Sequence, residues 1–230
     1  MTPGPSRQFP LALPHRPSLT RDDLIVTKAN QTAVAALDAW PNWPHPVLLV
    51  VGPEGAGKSH LAAAWRELAG AADFDGRIPE APQPFAIVID GLEDWIDRER
   101  ELFEVLNAAR LGGGFVMATA RRAPAVLSLR LPDLRSRLRA ATQVQIAEPD
   151  DALLRGVLHK HFADRQLAVD ARLVDYMAER MERSLGAALR IAGEVDREAL
   201  ASKEKVTRGL IRRILGEEER ARHDGAGNDA

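Results

Sequence analysis

The residues whose types and spacing point to chemistry are Gly52, Pro53, Glu54, Gly55, Ala56, Gly57, Lys58 and Ser59. They fill the phosphate-loop pattern G-x-x-x-x-G-K-[ST] at every defined position, after the apolar run Val47–Val51 and before an amphipathic stretch. The chemistry implied is polyphosphate binding. Glycines let successive backbone N–H groups wrap the phosphates, Lys58 bridges the outer ones, Ser59 ligates Mg²⁺, and the helix start adds its positive end. His60 follows directly and counts with the nucleotide contacts. A glycine turn without a ligand is the alternative.

Further candidates lie at the ends of other apolar runs. Asp90 closes Phe85–Ile89, where a carboxylate holds the hydration shell of Mg²⁺; a helix cap or turn residue is its alternative. The next position is Gly91, where many ATPases of this type carry an acid that polarises water, so self-hydrolysis should be weak. Glu93 and Asp94 are close enough in sequence to substitute in part. Thr119 ends Phe115–Ala120 and suits contact with a γ-phosphate or lytic water, against an ordinary strand-end threonine. Arg137, beyond that run, suits a finger that enters a neighbouring subunit's site, against a solvated basic face. Arg183 suits a reach to the phosphates from above, against a structural salt bridge.

These residues need a scaffold that brings strand ends together. A helix is expected from Asn30, as its cap, through Ala33, Val34 and Leu37, ending before Trp40-Pro41. Val47–Val51, Phe85–Ile89, Phe115–Ala120 and Gln143–Ile146 read as strands separated by helices, hence a mostly parallel α/β sheet. The polar, proline-bearing stretch from Gly70 to Pro84 reads as a loop. After Glu148-Pro149 the pattern becomes helical throughout: Leu153 to Leu158, then Leu173 to Met181 capped near Asp170, then Leu185 to Val195 capped by Ser184, then Leu210 to Leu215. The expected organisation is a leader over 1–21, an α/β nucleotide-binding domain over 22–149, an all-α lid over 150–215 and a disordered acidic tail over 216–230.

Composition narrows the function classes. The 230 residues are 45% hydrophobic and 28% charged, which excludes a disordered or fibrous chain. No apolar run approaches the roughly 18 residues of a membrane span, so no membrane partner is expected. The leader has no continuous apolar core of a secretory signal, and cysteine is absent, so a cytoplasmic site is the simplest expectation. Net charge is -2, which gives no global basic field for nucleic acid. Residues 121–139 nevertheless hold six arginines against Asp133 alone.

Taken together, these residues resemble the AAA+ module of the bacterial replication initiator DnaA over about residues 19–215. The resemblance rests on the phosphate loop, on Asp23-Leu24-Ile25-Val26 with Asn30, on Thr119 to Pro124, on Ser136-Arg137-Leu138 and on Arg183 to Ala187. It implies an adenine-contact segment at Ile25, Val26 and Asn30, a sensor at Thr119, an arginine finger at Arg137 and a second sensor at Arg183. Where the initiator would continue into a helix-turn-helix domain, this sequence runs into an acidic tail. Gln8-Phe9-Pro10-Leu11-Ala12-Leu13 resembles the short peptide that docks on the replicative sliding clamp, with Gln8 at the pocket rim and Leu11 and Leu13 in an apolar cleft.

That combination resembles the DnaA-homologous regulators of the Hda family. The resemblance implies binding of ADP or ATP with Mg²⁺, docking on the DNA-loaded clamp, stimulation of hydrolysis of DnaA-bound ATP, and self-association as a dimer. Contact with DNA would be mainly through the clamp. The polar 70–84 segment departs from the family's sheet edge and leaves the mode of subunit contact open. Two other expectations stay open: an origin or single-stranded DNA-binding module using the 121–139 arginines, and an autonomous ATPase acting on another partner. Few aromatics, 5% of residues, argue against the former.

Overall fold

The computed structural model describes residues 20–80, 84–202 and 205–216. In chain order the main elements are α1 (Gln31–Asp38), β1 (Val47–Val51), α2 (Lys58–Ala69), β2 (Ala72–Asp73), β3 (Phe85–Ile89), α3 (Glu99–Ala108) and β4 (Gly114–Ala120). Then follow α4 (Pro132–Ala140), β5 (Thr142–Gln145), α5 (Asp151–Asp164), α6 (Ala171–Arg180), α7 (Leu185–Ser202) and α8 over 208–216. The strands form one sheet in the order β2-β3-β4-β1-β5, with every pairing parallel.

Continuous apolar runs make the inner strands because both faces of the sheet are covered. Val47, Leu49 and Val51 of β1 face a core completed by α3 and α4, in which Leu102, Leu106, Leu134 and Leu138 are buried. Leu48 and Val50 face the other side, against Val34 and Leu37 of α1 and Leu61 and Trp65 of α2. The α/β reading of the sequence therefore holds, with α2 beginning at Lys58 directly after the glycines of the loop.

The expected loop over 70–84 is corrected at its start. Ala72 and Asp73 pair with Ile87 and Val88 as an edge strand, and the Phe74 amide extends the ladder to the Val88 carbonyl at 2.8 Å. Phe74 then turns its ring into the core, 4.5 Å from that of Trp95. Two residues are too few to show a period of two, so this strand is specified by its partner and by Phe74, not by its own pattern.

Helices α5, α6, α7 and α8 enclose a separate apolar cluster that includes Leu154, Leu158, Phe162, Met177, Ile191, Val195, Ile211 and Ile214. Capping follows the expected residues here. The Asp170 carboxylate accepts from the Arg172 amide at 2.8 Å, and Ser184 Oγ accepts from the Ala187 amide at 3.3 Å.

Trp65 is fully buried beneath the sheet, stacked on Trp43 at 5.2 Å and edge-on to Trp40 at 6.3 Å. Its indole N–H has no hydrogen-bond partner among the described residues, so its contribution is packing alone. Trp65→Ala should cost about 3–5 kcal/mol of unfolding free energy in a urea titration, and Trp65→Phe distinctly less.

Candidate nucleotide site

The site is assembled where β1, β3 and β4 end side by side. Register sets Val50 opposite Thr119 and Ile89 opposite Ala118, so the residues after β1 and β3 emerge next to the end of β4. Thr119 is buried, and its hydroxyl donates to Asp90 Oδ1 at 2.6 Å while accepting from the Gly91 amide at 2.8 Å. One oxygen thus fixes both the carboxylate and the turn that follows it. A hydroxyl has one donor and two acceptor positions, so one lone pair of Thr119 is left for a further partner.

The phosphate loop is held to this frame by its backbone. The Gly52 amide donates to the Ala120 carbonyl at 3.1 Å, and the Lys58 ammonium donates to the Gly52 and Pro53 carbonyls at 2.8 and 2.7 Å. Gly55 takes a left-handed φ of +73°, and a Cβ there would strike Ser184 Oγ, so the position needs glycine on two counts. Its carbonyl accepts from the Leu185 amide at 2.9 Å, which ties the loop to the start of α7. Burial pushes the Lys58 ammonium below its ordinary value, and the carboxylates of Glu93 and then Asp90 oppose that shift. Lysine, acid and loop amides face a cavity of about 500 Å³, lined also by Ser59, His60, Thr119, Leu185 and Leu189. Ser59, in the first turn of α2, and Asp90, just after β3, both line this cavity.

A second, narrow cleft of about 30 Å³ adjoins it, lined by Leu24, Ile25, Asn30, Ala56, His60, Ile146, Leu153 and Val157. Asn30 precedes α1 but makes no side-chain cap; its Nδ2 donates to the Ile25 carbonyl at 2.8 Å and its Oδ1 accepts from the Thr27 amide at 2.9 Å. Asn30 thus occupies the expected cap position, its carbonyl accepting from the Val34 amide at 3.0 Å, while its amide group shapes the Ile25–Thr27 strap instead of capping. Ile25 packs on Gly156 of α5, where a Cβ would lie 3.1 Å from its side chain. Val26 points outward, 50% exposed, and does not line the cleft.

The remaining predicted residues lie elsewhere. Arg137 donates to Asn107 Oδ1 at 3.0 Å and stands over the Phe103 ring at 5.9 Å, on the α3–α4 side and outside its own chain's cavity. Arg183 donates to Asp151 Oδ1 at 2.7 Å and to the Pro149 carbonyl at 2.8 Å, so its guanidinium is spent on α5 and does not line the phosphate cavity. The residues of the C-terminal helical region that do face the cavity are Leu185, Gly186 and Leu189, which the sequence presents as ordinary helix-core periodicity. Gln8, Leu11 and Leu13 lie outside the described residues. Sequence reasoning also missed what Glu93 does: its Oε1 accepts from the Arg121 and Arg122 amides at 2.7 and 3.2 Å, a long-range contact with no local signal.

His60 joins the two spaces, with Nε2 buried. Burial lowers its pKa from the ordinary 6.5, against the pull of the Asp23 carboxylate and of a hydrogen bond to the Thr20 backbone. Below 6.5 the unfolded chain takes up a proton that the folded chain resists, so this contribution to stability is complete above 6.5 and is lost as pH falls through the folded value. Urea titrations on either side of 6.5 should show stability falling with acid, and His60→Gln should remove that part of the slope.

No protein-family model matches the chain. Solved structures share its fold. Domain III of the Thermotoga maritima replication initiation protein DnaA aligns with a TM-score of 0.76 at 17% identity, covering 88% of this chain and 97% of that one. AMPPCP-bound DnaA from Aquifex aeolicus aligns at 0.64 and 20% identity, over 91% and 71% of the two chains. The Thermotoga maritima RuvB Holliday junction branch migration motor aligns at 0.64 and 14%, over 86% and 72%. The chain therefore has the AAA+ α/β fold, a parallel sheet flanked by helices and followed by a helical C-terminal region.

Proposed function

We propose that the chain is a DnaA-like adenine-nucleotide-binding module that regulates replication initiation in the manner of the Hda family. The observation that carries the nucleotide reading is the convergence of the Lys58 loop, Ser59 and the Asp90–Thr119 pair on one cavity beside an apolar cleft. The residues fit ADP or ATP with Mg²⁺. The glycine cradle at Gly55 admits no side chain, and a half-buried ammonium faces two carboxylates. A bound nucleotide would supply the polyphosphate charge; Lys58 and the loop amides would neutralise it, Ser59 and Asp90 would hold the hydrated ion, and Ile25, Asn30 and His60 would shape the base and sugar end. The DnaA structures of the same fold bound to AMPPCP support this ligand class.

The regulatory part of the proposal assigns docking on the sliding clamp to Gln8, Leu11 and Leu13, and activation of DnaA-bound ATP to Arg137. Two observations support the finger. Arg137 lies outside its own chain's cavity, and among the described residues its guanidinium has a single side-chain acceptor, Asn107, which a more strongly charged phosphate could replace. The same arrangement would serve a head-to-tail dimer of this chain. The position after Asp90 remains Gly91, in keeping with weak hydrolysis by the chain alone. Among the described residues no helix is long and apolar enough to cross a membrane.

One observation favours a second reading. Arg121, Arg122, Arg130 and Arg139 are exposed, a basic surface that could hold single-stranded DNA; a steep loss of DNA affinity with salt in the absence of clamp would favour it.

The proposal is tested by hydrolysis of ATP prebound to DnaA, with clamp loaded on DNA, on adding the parent or a variant. The parent should accelerate hydrolysis only with clamp present. Arg137→Ala should lose most of that acceleration, by roughly 10³-fold or more, while still binding nucleotide and clamp. Gln8→Ala with Leu11→Ala should lose clamp binding but keep nucleotide binding. Equal acceleration by parent and Arg137→Ala would remove the finger, and unchanged clamp affinity in the double variant would remove the docking peptide.

A further inference from the structure

The turn after β3 gives up an acid at position 91 and delivers one from position 93. Gly91 sits at φ +87°, a left-handed backbone that disfavours a side chain, and a Cβ there would lie 2.9 Å from Asp94 Oδ2. Its amide is already committed to Thr119. Leu92 is then driven into the core, fully buried beside Ile87 and Leu102. With Leu92 fixed inward, the short helical turn Leu92–Arg98 swings Glu93 back over the strand ends.

Glu93 is held there asymmetrically. Its Oε1 takes the Arg121 and Arg122 amides, which follow Thr119 at the end of β4. Its Oε2 is buried and has no hydrogen-bond partner among the described residues. A buried carboxylate oxygen without a donor is costly, and such atoms call for a partner that arrives with ligand or water. The residue lines the same cavity as Lys58, Ser59, Asp90 and Thr119, and of the charged groups around Lys58 it acts most strongly on the ammonium.

We infer that Glu93 is the hydrolytic carboxylate of this site, taking the role that position 91 cannot fill. The inference rests on the nucleotide reading above. Its anchored Oε1 fixes the carboxylate, and Oε2 receives a hydrogen bond from a water molecule at the outer-phosphate end. As that water's oxygen attacks the γ-phosphorus, its proton passes to Oε2; the bond from γ-phosphorus to the β–γ bridging oxygen breaks, leaving ADP and inorganic phosphate. The proton then returns to solvent.

The test uses the full chain and Glu93→Gln, which keeps an acceptor oxygen for the two amides and removes the base. Three quantities are read: ATP affinity with Mg²⁺, single-turnover hydrolysis with protein in excess, and hydrogen exchange of the Arg121 and Arg122 amides without nucleotide. The expected result is unchanged affinity, unchanged amide protection and hydrolysis slower by roughly 10²-fold. Parent-like hydrolysis in Glu93→Gln overturns the inference, as does a parent that binds ATP without turning it over. A variant that misfolds or loses amide protection marks Glu93 as a structural prop and also overturns it. A parent that binds no ATP removes the nucleotide reading itself, a failure distinct from the others.

Discussion

The parallel pairing of β4 between β1 and β3 is the constraint on which the rest of the structure depends. Because Val50 lies opposite Thr119 and Ile89 opposite Ala118, three chain segments leave the sheet at one edge within hydrogen-bonding reach. Slipping one strand by a single residue would turn its apolar set over and part the Thr119 hydroxyl from Asp90. Close packing on both faces opposes this, since Leu48, Leu49, Val116 and Met117 are fully buried and a slip would put each into space shaped for a different side chain. The energy of the core is thus what fixes a 2.6 Å contact between two polar groups at its rim.

A second dependence links that rim to the helices after residue 150. The Leu185 amide bonds the Gly55 carbonyl, and Ile25 packs on Gly156, so loop, strap and helical region meet at the same place. Lys160 adds an ion pair with Asp23 at 2.8 Å, half open to solvent and worth on the order of 1 kcal/mol or less. The junction is built of a few contacts, unlike the sheet. Such a seam is where opening costs least, and it borders the narrow cleft lined by Ile25 and Leu153.

The four longer strands and the phosphate loop were legible in the sequence because both are local, whereas the two-residue edge strand was not. Five apolar residues in a row, or two glycines and a lysine at fixed spacing, carry their meaning without distant partners. Asp90 and Thr119 were found by the same logic, since each ends an apolar strand. What stayed hidden depends on contacts far apart in sequence. Arg183 reads equally well as a phosphate contact or as a partner of Asp151, and only the fold shows which acceptor it meets. Asn30 looks like a helix cap, but the strap supplies better partners at Ile25 and Thr27. Ile25 and Val26 are adjacent and similar in type; the turn of the strap decides that only the first lines the cleft. Glu93 is marked in the sequence only by its closeness to Gly91, alongside Asp94; what holds its carboxylate shows once the amides after β4 are placed beside it.

The central claim is that loop, strap and the start of α7 form one adenine-nucleotide site. Hydrogen–deuterium exchange of the full chain, with and without saturating ADP and Mg²⁺, tests it most directly. The account predicts joint protection of 52–60, of the strap around Ile25 to Asn30 and of the segment from Ser184 to Leu189, with the β1 and β4 amides already protected in both states. Exchange that is unchanged by nucleotide, or protection confined to a region away from these three segments, would contradict it.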